Sequence, residues 1–400
     1  MIITSKNIRV LSLGILCFEG FGIRIFENVI SGAIILWTVV LFILNLKNVL
    51  RMPINALFKL IGIMLFYVFF CSLKGIKTEP FLFATWSSAF IIISNYWHRQ
   101  NSFVDDMSSL CRFCMYYSLL HIPIMLLLKP LLITTNFGMN PKTFLYLFYF
   151  NSGEGFMGLP RIQGFCWEPS CWNLLLNLNL VFMLYFKRPV KDLILSIVAI
   201  VSIMATTGLV VMIVIICVYY ALLLERKKFI KNLLVGVTVI AVCTPFVYSE
   251  LQDKLSTGSG NARVGDFAIA AAVMQNSPIL GDDLGHIANN PIAIKARSEA
   301  WTSEGDWIGY MDQGMVNSFA SLLVEWGAVI SIIIIILLLR CPLLHDIKLR
   351  ILFMIALLGV MIGTPILQTG FFYMFVFSTI ILNKKNIKRN ESYINNHSDI

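Results

Sequence analysis

The stretch NSFASLLVEWGAVISIIIIILLL, residues 317–339, is apolar along almost its whole length and ends at Arg340. About 20 such residues are what an α-helix needs to cross the roughly 30 Å hydrocarbon core of a bilayer. The rest of the chain resembles this stretch, because 58% of its 400 residues are hydrophobic and only 13% are charged. Soluble domains carry about twice that charged fraction. The composition excludes a soluble enzyme, a disordered regulator and a secreted disulfide scaffold, and it predicts an all-α integral membrane protein.

Long apolar runs bounded by charge predict about 12 transmembrane helices. These runs cover residues 8–23, 29–46, 56–73, 81–97, 112–128, 171–186, 192–206, 208–224, 231–248, 317–339, 350–363 and 366–382. With the N-terminus inside, most of the 31 Lys and Arg residues fall on one face, as the positive-inside rule requires of cytoplasmic loops. We therefore expect a multi-pass protein with both termini cytoplasmic. Its net charge of +9 is then explained by anionic lipid and needs no nucleic acid.

The spans divide the chain into four parts. Residues 1–248 hold the first nine transmembrane helices and an outer loop at 129–170, and residues 249–316 form one large outer loop. Residues 317–382 hold the last three helices, and 383–400 form a cytoplasmic tail.

The two outer loops carry further signals. A loop as long as 249–316 usually builds a site or is disordered, and its run Phe267–Met274 favours structure. In the shorter loop, the aromatic run Phe144–Phe150 predicts an interfacial or re-entrant segment. Cys166 and Cys171 lie on the oxidising side, where they are either bridged or free.

The densest polar cluster beside a span is RIQGFCWEPS, residues 161–170. Pro169 suits the first turn of a helix, and Glu168 would then lie near the positive end of the helix dipole. Arg161 and Glu168 could form an interfacial ion pair that anchors the helix. Alternatively, the arginine binds an anion and the carboxylate acts as a base or a sugar ligand.

Two further clusters lie in the large loop. In SGNARVGD, residues 259–266, Arg263 offers a planar fork for phosphate, although exposed loop arginines are often only solvated. In GDDLGH, residues 281–286, Asp282 and Asp283 either favour a turn or approach a cation, and His286 is more typical of a hydrogen-bonded loop residue.

The tenth span adds a polar stripe. Asn317, Ser321 and Glu325 recur every four residues, so they share one face of the helix. A glutamate within a span is costly unless it has a partner, so Glu325 is a candidate for a substrate contact or for a hydrogen bond to a neighbouring helix.

Taken in order, these motifs resemble the family of O-antigen ligases and Wzy-type polysaccharide polymerases. The matching elements are an Arg–Gly–Glu-Pro segment before a central span, a loop arginine before a Pro-Ile-x-Gly turn, and an Asn followed by Glu-x-Gly in the next span. Here they are Arg161, Gly164, Phe165, Glu168, Pro169, Arg263, Pro278, Ile279, Gly281, Gly285, Asn317, Glu325 and Gly327. The motifs cover roughly 160–330, and the rest of the chain matches only in topology.

Two positions depart from the family pattern. Ligases usually carry a histidine beside that asparagine, where this chain has Val316, which favours a polymerase over a lipid A-core ligase. The family also often carries an arginine in the short turn between two spans ahead of the large loop, where this chain has Thr206-Thr207-Gly208. Phosphate binding would then depend on Arg161 and Arg263.

The resemblance implies a glycosyltransferase of the cell inner membrane that joins undecaprenyl-diphosphate-linked oligosaccharide repeat units into a surface polysaccharide. It implies Arg161, Glu168 and Arg263 as catalytic residues. Its candidate substrate contacts are Gly164, Asp266, Asp283, His286, Asn317 and Glu325, with Asp266 as the reserve base. With two arginines available, no metal or cofactor is required.

Membrane lipids and a chain-length regulator protein are the further partners that the resemblance implies. Two alternatives remain open. One is a ligase that transfers the glycan to lipid A-core. The other is a flippase or transporter of lipid-linked glycan, a class that typically shows internal repeats and broken helices.

Overall fold

A computed structural model describes residues 5–22, 30–136, 140–154, 159–220, 258–282, 290–301 and 315–382. This part of the chain is mostly α-helical, as the composition predicts. Its helices are α1 Ser5–Phe21, α2 Ile30–Val49, α3 Ile54–Lys74, α4 Pro80–Ser94, α5 Ser102–Leu127, α6 Pro169–Tyr185, α7 Val190–Ser202, α8 Thr206–Val218, α9 Gly258–Asn276, α10 Pro291–Ala300, α11 Ser318–Leu339, α12 Ile347–Met361 and α13 Gly370–Ile381.

Three helices are long and apolar enough to cross a membrane, namely α3, α5 and α11. Shorter apolar helices occupy further predicted spans, including α4, α8 and α13. The predicted span 231–248 and the tail 383–400 lie outside the described residues. Membrane-spanning helices are therefore present by length and composition, while the 12-span arrangement stays a prediction.

Helix α6 lies at the centre of the bundle. Every residue from Pro169 to Leu184 is buried, and the helix packs against α5, α7, α8 and α12. Because α6 is apolar on all sides apart from three asparagines, burial on all sides is the arrangement that its sequence favours. The first turn of α6 is thereby fixed among the ends of its neighbours.

The outer loop 129–170 contains an antiparallel four-stranded sheet, which the all-α prediction did not include. The strands are β1 Ile133–Thr134, β2 Lys142–Phe144, β3 Phe148–Glu154 and β4 Pro160–Ile162, paired in that order. Leu145 and Tyr146 form the tight turn between β2 and β3, both with positive φ. The aromatic run 144–150 is therefore a hairpin, and its interfacial or re-entrant placement stays a prediction. Alternating aromatic residues suit a strand, since every second side chain faces the same side.

The large loop contributes α9 and α10, which pack against each other and against α11. A second, smaller hydrophobic core holds these helices together, and it includes Ile269, Val273, Ala293, Ala320 and Val324. The helix expected over the run 267–274 is confirmed, because that run lies inside α9.

Helix α11 is broken in the middle. Gly327 has φ 68° and ψ 171°, a conformation outside the helical region and largely restricted to glycine. The sequence predicts one uninterrupted span here, because a single glycine inside an apolar run does not by itself indicate a break.

Candidate functional site

The segment that leads into α6 is shaped around Gly164. This residue has φ +62°, and a Cβ placed on it would lie 2.3 Å from the ring of Trp172. A side chain is therefore excluded both by the backbone conformation and by the indole. Gly164 bends the chain between Arg161 on β4 and Glu168 at the start of α6.

Aromatic packing fixes this segment against α5. Phe165 stacks on Tyr117 with ring centroids 4.4 Å apart, and Trp172 Nε1 donates to Ser118 Oγ at 2.7 Å. His121 contacts the rings of Phe148 and Phe150 and is fully buried. These contacts indicate a structural role for His121.

Glu168 is the N-cap residue of α6, and Pro169 occupies the first helical position, as the sequence predicts. The half-buried Glu168 side chain accepts a hydrogen bond from Ser170 Oγ at 2.6 Å through Oε1. Arg161 is also half-buried, on the neighbouring strand β4. Both candidate residues are therefore half-buried, and Glu168 lies at the start of the central helix.

Arg263, on α9, lies against the turn that follows α12. Its Nη2 donates to the carbonyl oxygen of Gly363 at 3.3 Å. A Cβ on Gly363 would lie 3.2 Å from Arg263 Nε and 2.9 Å from Thr207 Oγ1. The guanidinium and the first turn of α8 therefore meet at one glycine. The positive end of a helix dipole and an arginine together form an anion-binding environment.

Asn173 connects this place to the start of α6. Its side-chain amide fills the space beside Gly208, where a Cβ would lie 2.0 Å from Nδ2. Its Oδ1 accepts from Asn177 at 3.0 Å, while Nδ2 makes no hydrogen bond to any described residue. Asn173 belongs to α6, the helix that Glu168 caps. Its buried amide donor thus lies beside the first turn of α8.

Asp266 has internal partners in place of the expected substrate contact. Both it and Arg297 are fully buried and form an ion pair. Asp266 Oδ2 also accepts from the backbone N–H groups of Val316 and Asn317, each at 2.9 Å. Burial raises the pKa of Asp266 to about 6, although the Arg297 charge opposes this. Asp266 therefore joins α9, α10 and the start of α11 as a positioning residue.

Asn317 caps α11 with its own side chain. Its Oδ1 accepts from the N–H groups of Phe319 and Ala320 at 3.0 and 3.1 Å. The next residue, Ser318, donates from Oγ to the Thr364 carbonyl at 2.6 Å and so ties α11 to the turn beside Arg263. Asn317 lies near the site but is fully buried.

The Pro-Ile-Leu-Gly turn inserts into the break in α11. A Cβ on Gly281 would lie 2.1 Å from the Val324 carbonyl oxygen, and a Cβ on Gly327 would lie 2.1 Å from that of Ile279. Asp282 N–H donates to Val324 O at 2.6 Å. The two backbones therefore touch, which only glycine permits at both positions.

Lys74 bridges the turn and the broken helix. Its Nζ donates to the carbonyl oxygens of Asp282 and Glu325 at 2.8 and 2.7 Å. The half-buried Glu325 thus contributes a backbone carbonyl that accepts a hydrogen bond at the break in the helix.

An apolar cavity of about 130 Å³ adjoins the Gly164 bend. It lies between α1, α5 and the start of α6 and is lined by Gly14, Cys17, Phe18, Gly22, Leu110, Phe113, Cys114, Phe165, Cys166, Trp172 and Leu175. Dry cavities of about 150 Å³ can accommodate benzene, so this lining suits a small hydrocarbon group. Cys166 and Cys171 are both free thiols, which decides the open question of a bridge between them.

Among the described residues, Asp266 contacts Asn317, and Gly281 packs on Gly327, while the grouping of Arg161 and Glu168 with Arg263 stays a prediction. The start of α6 and the surroundings of Arg263 meet through Asn173 and Thr207. Asp283 and His286 lie outside the described residues. Sequence reasoning missed Lys74, Asn173 and Arg297, of which only the buried asparagine in an apolar span gave a usable signal.

Among the described residues, the fold is mostly helical and includes three helices that are long and apolar enough to cross a membrane. No family model, no curated protein and no solved structure matches the chain.

Proposed function

We propose that the protein is a polymerase that joins undecaprenyl-diphosphate-linked oligosaccharide repeat units on the outer face of the cell inner membrane. The observation that carries the proposal is contact between motifs that are far apart in sequence. Asp266 binds the backbone at Asn317, and Gly281 packs on Gly327. Each of these motifs is only weakly specific by itself. In the structure they contact one another, and Arg263 on the same helix as Asp266 lies against Gly363.

The diphosphate would bind at Arg263. The guanidinium forms a planar fork that suits phosphate oxygens, and the first turn of α8 adds its dipole. Asn173 Nδ2, beside Gly208, supplies a further donor at the same helix turn. In this proposal, the backbone N–H groups of Thr206-Thr207-Gly208 bind phosphate, a role that an arginine in this turn has in the family that the sequence resembles.

Glu168 is the proposed base. It would accept the proton of a sugar hydroxyl as that oxygen attacks the anomeric carbon of the lipid-linked chain. The bond from that carbon to the diphosphate oxygen breaks, its electron pair leaves with the lipid diphosphate, and the configuration inverts. A positioned base contributes about 10²–10⁴ in rate. A donor aimed at the developing charge contributes roughly 2.7–4 kcal/mol. Arg161, on β4, is the second cation proposed for the leaving group.

The geometry does not require a metal or a cofactor for this step, because the arginines neutralise the charge that a cation would. Asp266 acts in this scheme as a positioning residue, since its buried oxygens hold α9 against Asn317. Gly164 acts by placing Arg161 and Glu168, as its contact with Trp172 requires.

A transporter of lipid-linked glycan is the competing class, and the break in α11 is a feature of that class. Here, however, the break is filled by the chain's own turn at Gly281 and by Lys74. A substrate site at a broken helix would need those backbone groups for the ligand. The filled break therefore favours a polymerase over a transporter that alternates between inward-open and outward-open states.

Complementation of a cell that lacks this gene tests the proposal. We expect Arg263→Ala, Arg161→Ala and Glu168→Gln to leave a single repeat unit on the lipid A-core, with normal amounts of protein in the membrane. Arg263→Lys should restore less than half of the polymer, because an ammonium lacks the fork. Lys295→Ala is the matched control, since Lys295 is exposed on α10.

The pattern of glycan on a gel separates the alternatives. Polymer that accumulates on the lipid carrier above bare core would indicate a ligase. Loss of all repeat units from the outer face would indicate a flippase, and either result would refute the polymerase.

A further inference from the structure

The turn Ser277–Asp282 presents an apolar side chain next to the apolar surface of α11. Ile279 is 64% exposed, and its carbonyl lies against Gly327. On the next turns of α11, Val329 and Ile332 are 51% and 56% exposed. The exposed Ile279 therefore continues a surface that belongs to a helix long enough to cross a membrane.

The same kind of surface continues along α9. Val264 and Phe267 are exposed and lie three residues apart, so they share one face of the helix. Inward-facing residues such as Ile269 and Val273 fill the small core with α10 and α11. One face of α9 is thus packed, and the opposite face exposes Val264 and Phe267, with the polar Gln275 towards its C-terminal end.

The position of Gly327 along α11 gives the depth of this surface. Helix α11 has 22 residues, which correspond to about 33 Å at a rise of about 1.5 Å per residue. Gly327 lies about 13 Å from the Ser318 end on that scale. If α11 spans a bilayer of about 30 Å, the turn at Ile279 reaches well below the outer boundary of the hydrocarbon.

The hydrogen bonds at the break suit such a depth. The carbonyl of Val324 accepts from Asp282 N–H, and the carbonyl of Glu325 accepts from Lys74 Nζ. Ala328 N–H donates to Pro278 O at 2.9 Å. Non-helical backbone is tolerated inside a membrane only where its polar groups have partners in the protein.

We propose that the turn Ser277–Asp282 and the exposed face of α9 lie in the outer leaflet, where Ile279, Phe267 and Val264 contact lipid chains. The large loop is then in part a re-entrant element and not a wholly water-exposed one. The inference goes beyond the polymerase activity and rests on α11 crossing the bilayer in the orientation that the basic residues predict.

Quenching by nitroxide-labelled lipid tests this placement. Ile279→Cys is labelled with the fluorophore NBD in the full-length folded protein, which is then reconstituted into phosphatidylcholine–phosphatidylglycerol vesicles. The vesicles contain lipid with a nitroxide on carbon 12 of one acyl chain. The unsubstituted protein is the blank, because seven of its described cysteines are buried and Cys217 is half-buried.

Two matched positions calibrate the readout. Ile332→Cys reports a side chain on the exposed apolar face of α11, and Ser298→Cys reports an exposed position on α10. We expect the label at Ile279 to lose as much emission as the label at Ile332, and the label at Ser298 to lose almost none.

Loss of emission at Ile279 no greater than at Ser298 would overturn the inference and place the turn in water. If neither Ile279 nor Ile332 is quenched, α11 does not expose that face to lipid, which overturns it equally. Phe267→Cys provides an independent second reading on a different element. Because the neighbouring Asp266 is bonded to the start of α11, this label should lose more emission than the label at Ser298 and less than the label at Ile279.

Discussion

The buried pair of Asp266 and Arg297 shows how a single interaction can order a site without adding much stability. Removing two charges from water costs several kcal/mol per ion, and the attraction between them offsets this only with good geometry. Here the carboxylate accepts from Arg297 and from two backbone N–H groups, so its oxygens are well supplied with donors. The gain is in placing α9, and with it Arg263, against the start of α11.

Removal of one partner of this pair should therefore be far worse than removal of both. We expect Arg297→Met to destabilise the protein by about 3–5 kcal/mol, because it leaves the Asp266 carboxylate buried without its counter-charge. The double variant with Asp266→Leu should recover most of that loss. Thermal unfolding in detergent measures both, with exposed Lys295→Ala as the control. Equal losses in the single and double variants would contradict this account.

The pKa of Asp266 predicts a pH dependence with a definite sign. Burial raises this pKa to about 6 from an ordinary value of 3.8. The folded state therefore binds the proton more tightly than the unfolded state. The contribution of the group to stability is complete below pH 3.8 and is lost as the pH rises through 6.

Asp266→Asn removes this titration and provides the comparison. The free energy of unfolding of the wild type minus that of the variant should fall between about pH 4 and pH 6, by an amount on the order of 3 kcal/mol at most. A difference that rises with pH over this range would mean that the ion pair lowers the pKa, contrary to our expectation.

At the scale of elements, the junction between the Gly281 turn and α11 is the least replaceable contact. Gly327→Ala must adopt a backbone conformation that costs about 1–3 kcal/mol and must also displace the Ile279 carbonyl. We expect this variant and Gly281→Ala to separate the turn from α11 and to lower the unfolding temperature. Gly62→Ala, within α3 and with open space around it, should leave that temperature unchanged or raise it.

Limited proteolysis between α9 and α11 would report the same separation. Faster cleavage in Gly327→Ala but not in Gly62→Ala is the expected result. Unchanged cleavage in both would mean that the turn is held by the small core of α9 and α10 alone.

The elements differ in how well the sequence predicts them. Apolar runs predict helices such as α6 and α11, because burial or lipid contact both require an internally bonded backbone. The sheet in the outer loop is not predicted, since its strands are short and its aromatic residues also suit an interface. The break at Gly327 depends on a partner, Gly281, that no local pattern indicates.

The candidate site divides in the same way. Pro169 and Glu168 are predictable, because caps and first turns are local. The burial of Asp266 is not predictable, because Arg297 and the start of α11 come from other parts of the chain. Local motifs thus predict candidate site residues, and tertiary contacts determine which of these residues are buried and which remain available to a substrate.

At the scale of the whole molecule, the distribution of basic residues predicts the orientation of the chain. With both ends in the cytoplasm, a fluorescent reporter fused after Ile400 should be active, since such reporters fold in the cytoplasm. Alkaline phosphatase inserted after Ser298, on exposed α10, should be active only if that helix lies outside. An inactive fluorescent reporter together with an inactive phosphatase would indicate the opposite topology and would contradict a site on the outer face.

The contact between Gly281 and Gly327 also bears on how the protein is made. Gly281 leaves the ribosome before α11 has been synthesised, so in the predicted topology the turn crosses the translocon before its partners on α11 exist. It gains its partners only when the outer half of α11 arrives and Lys74, already inserted, reaches the break. Assembly of this region is therefore a late step of biogenesis, and slow insertion of the tenth predicted span would leave the turn accessible to quality-control proteases.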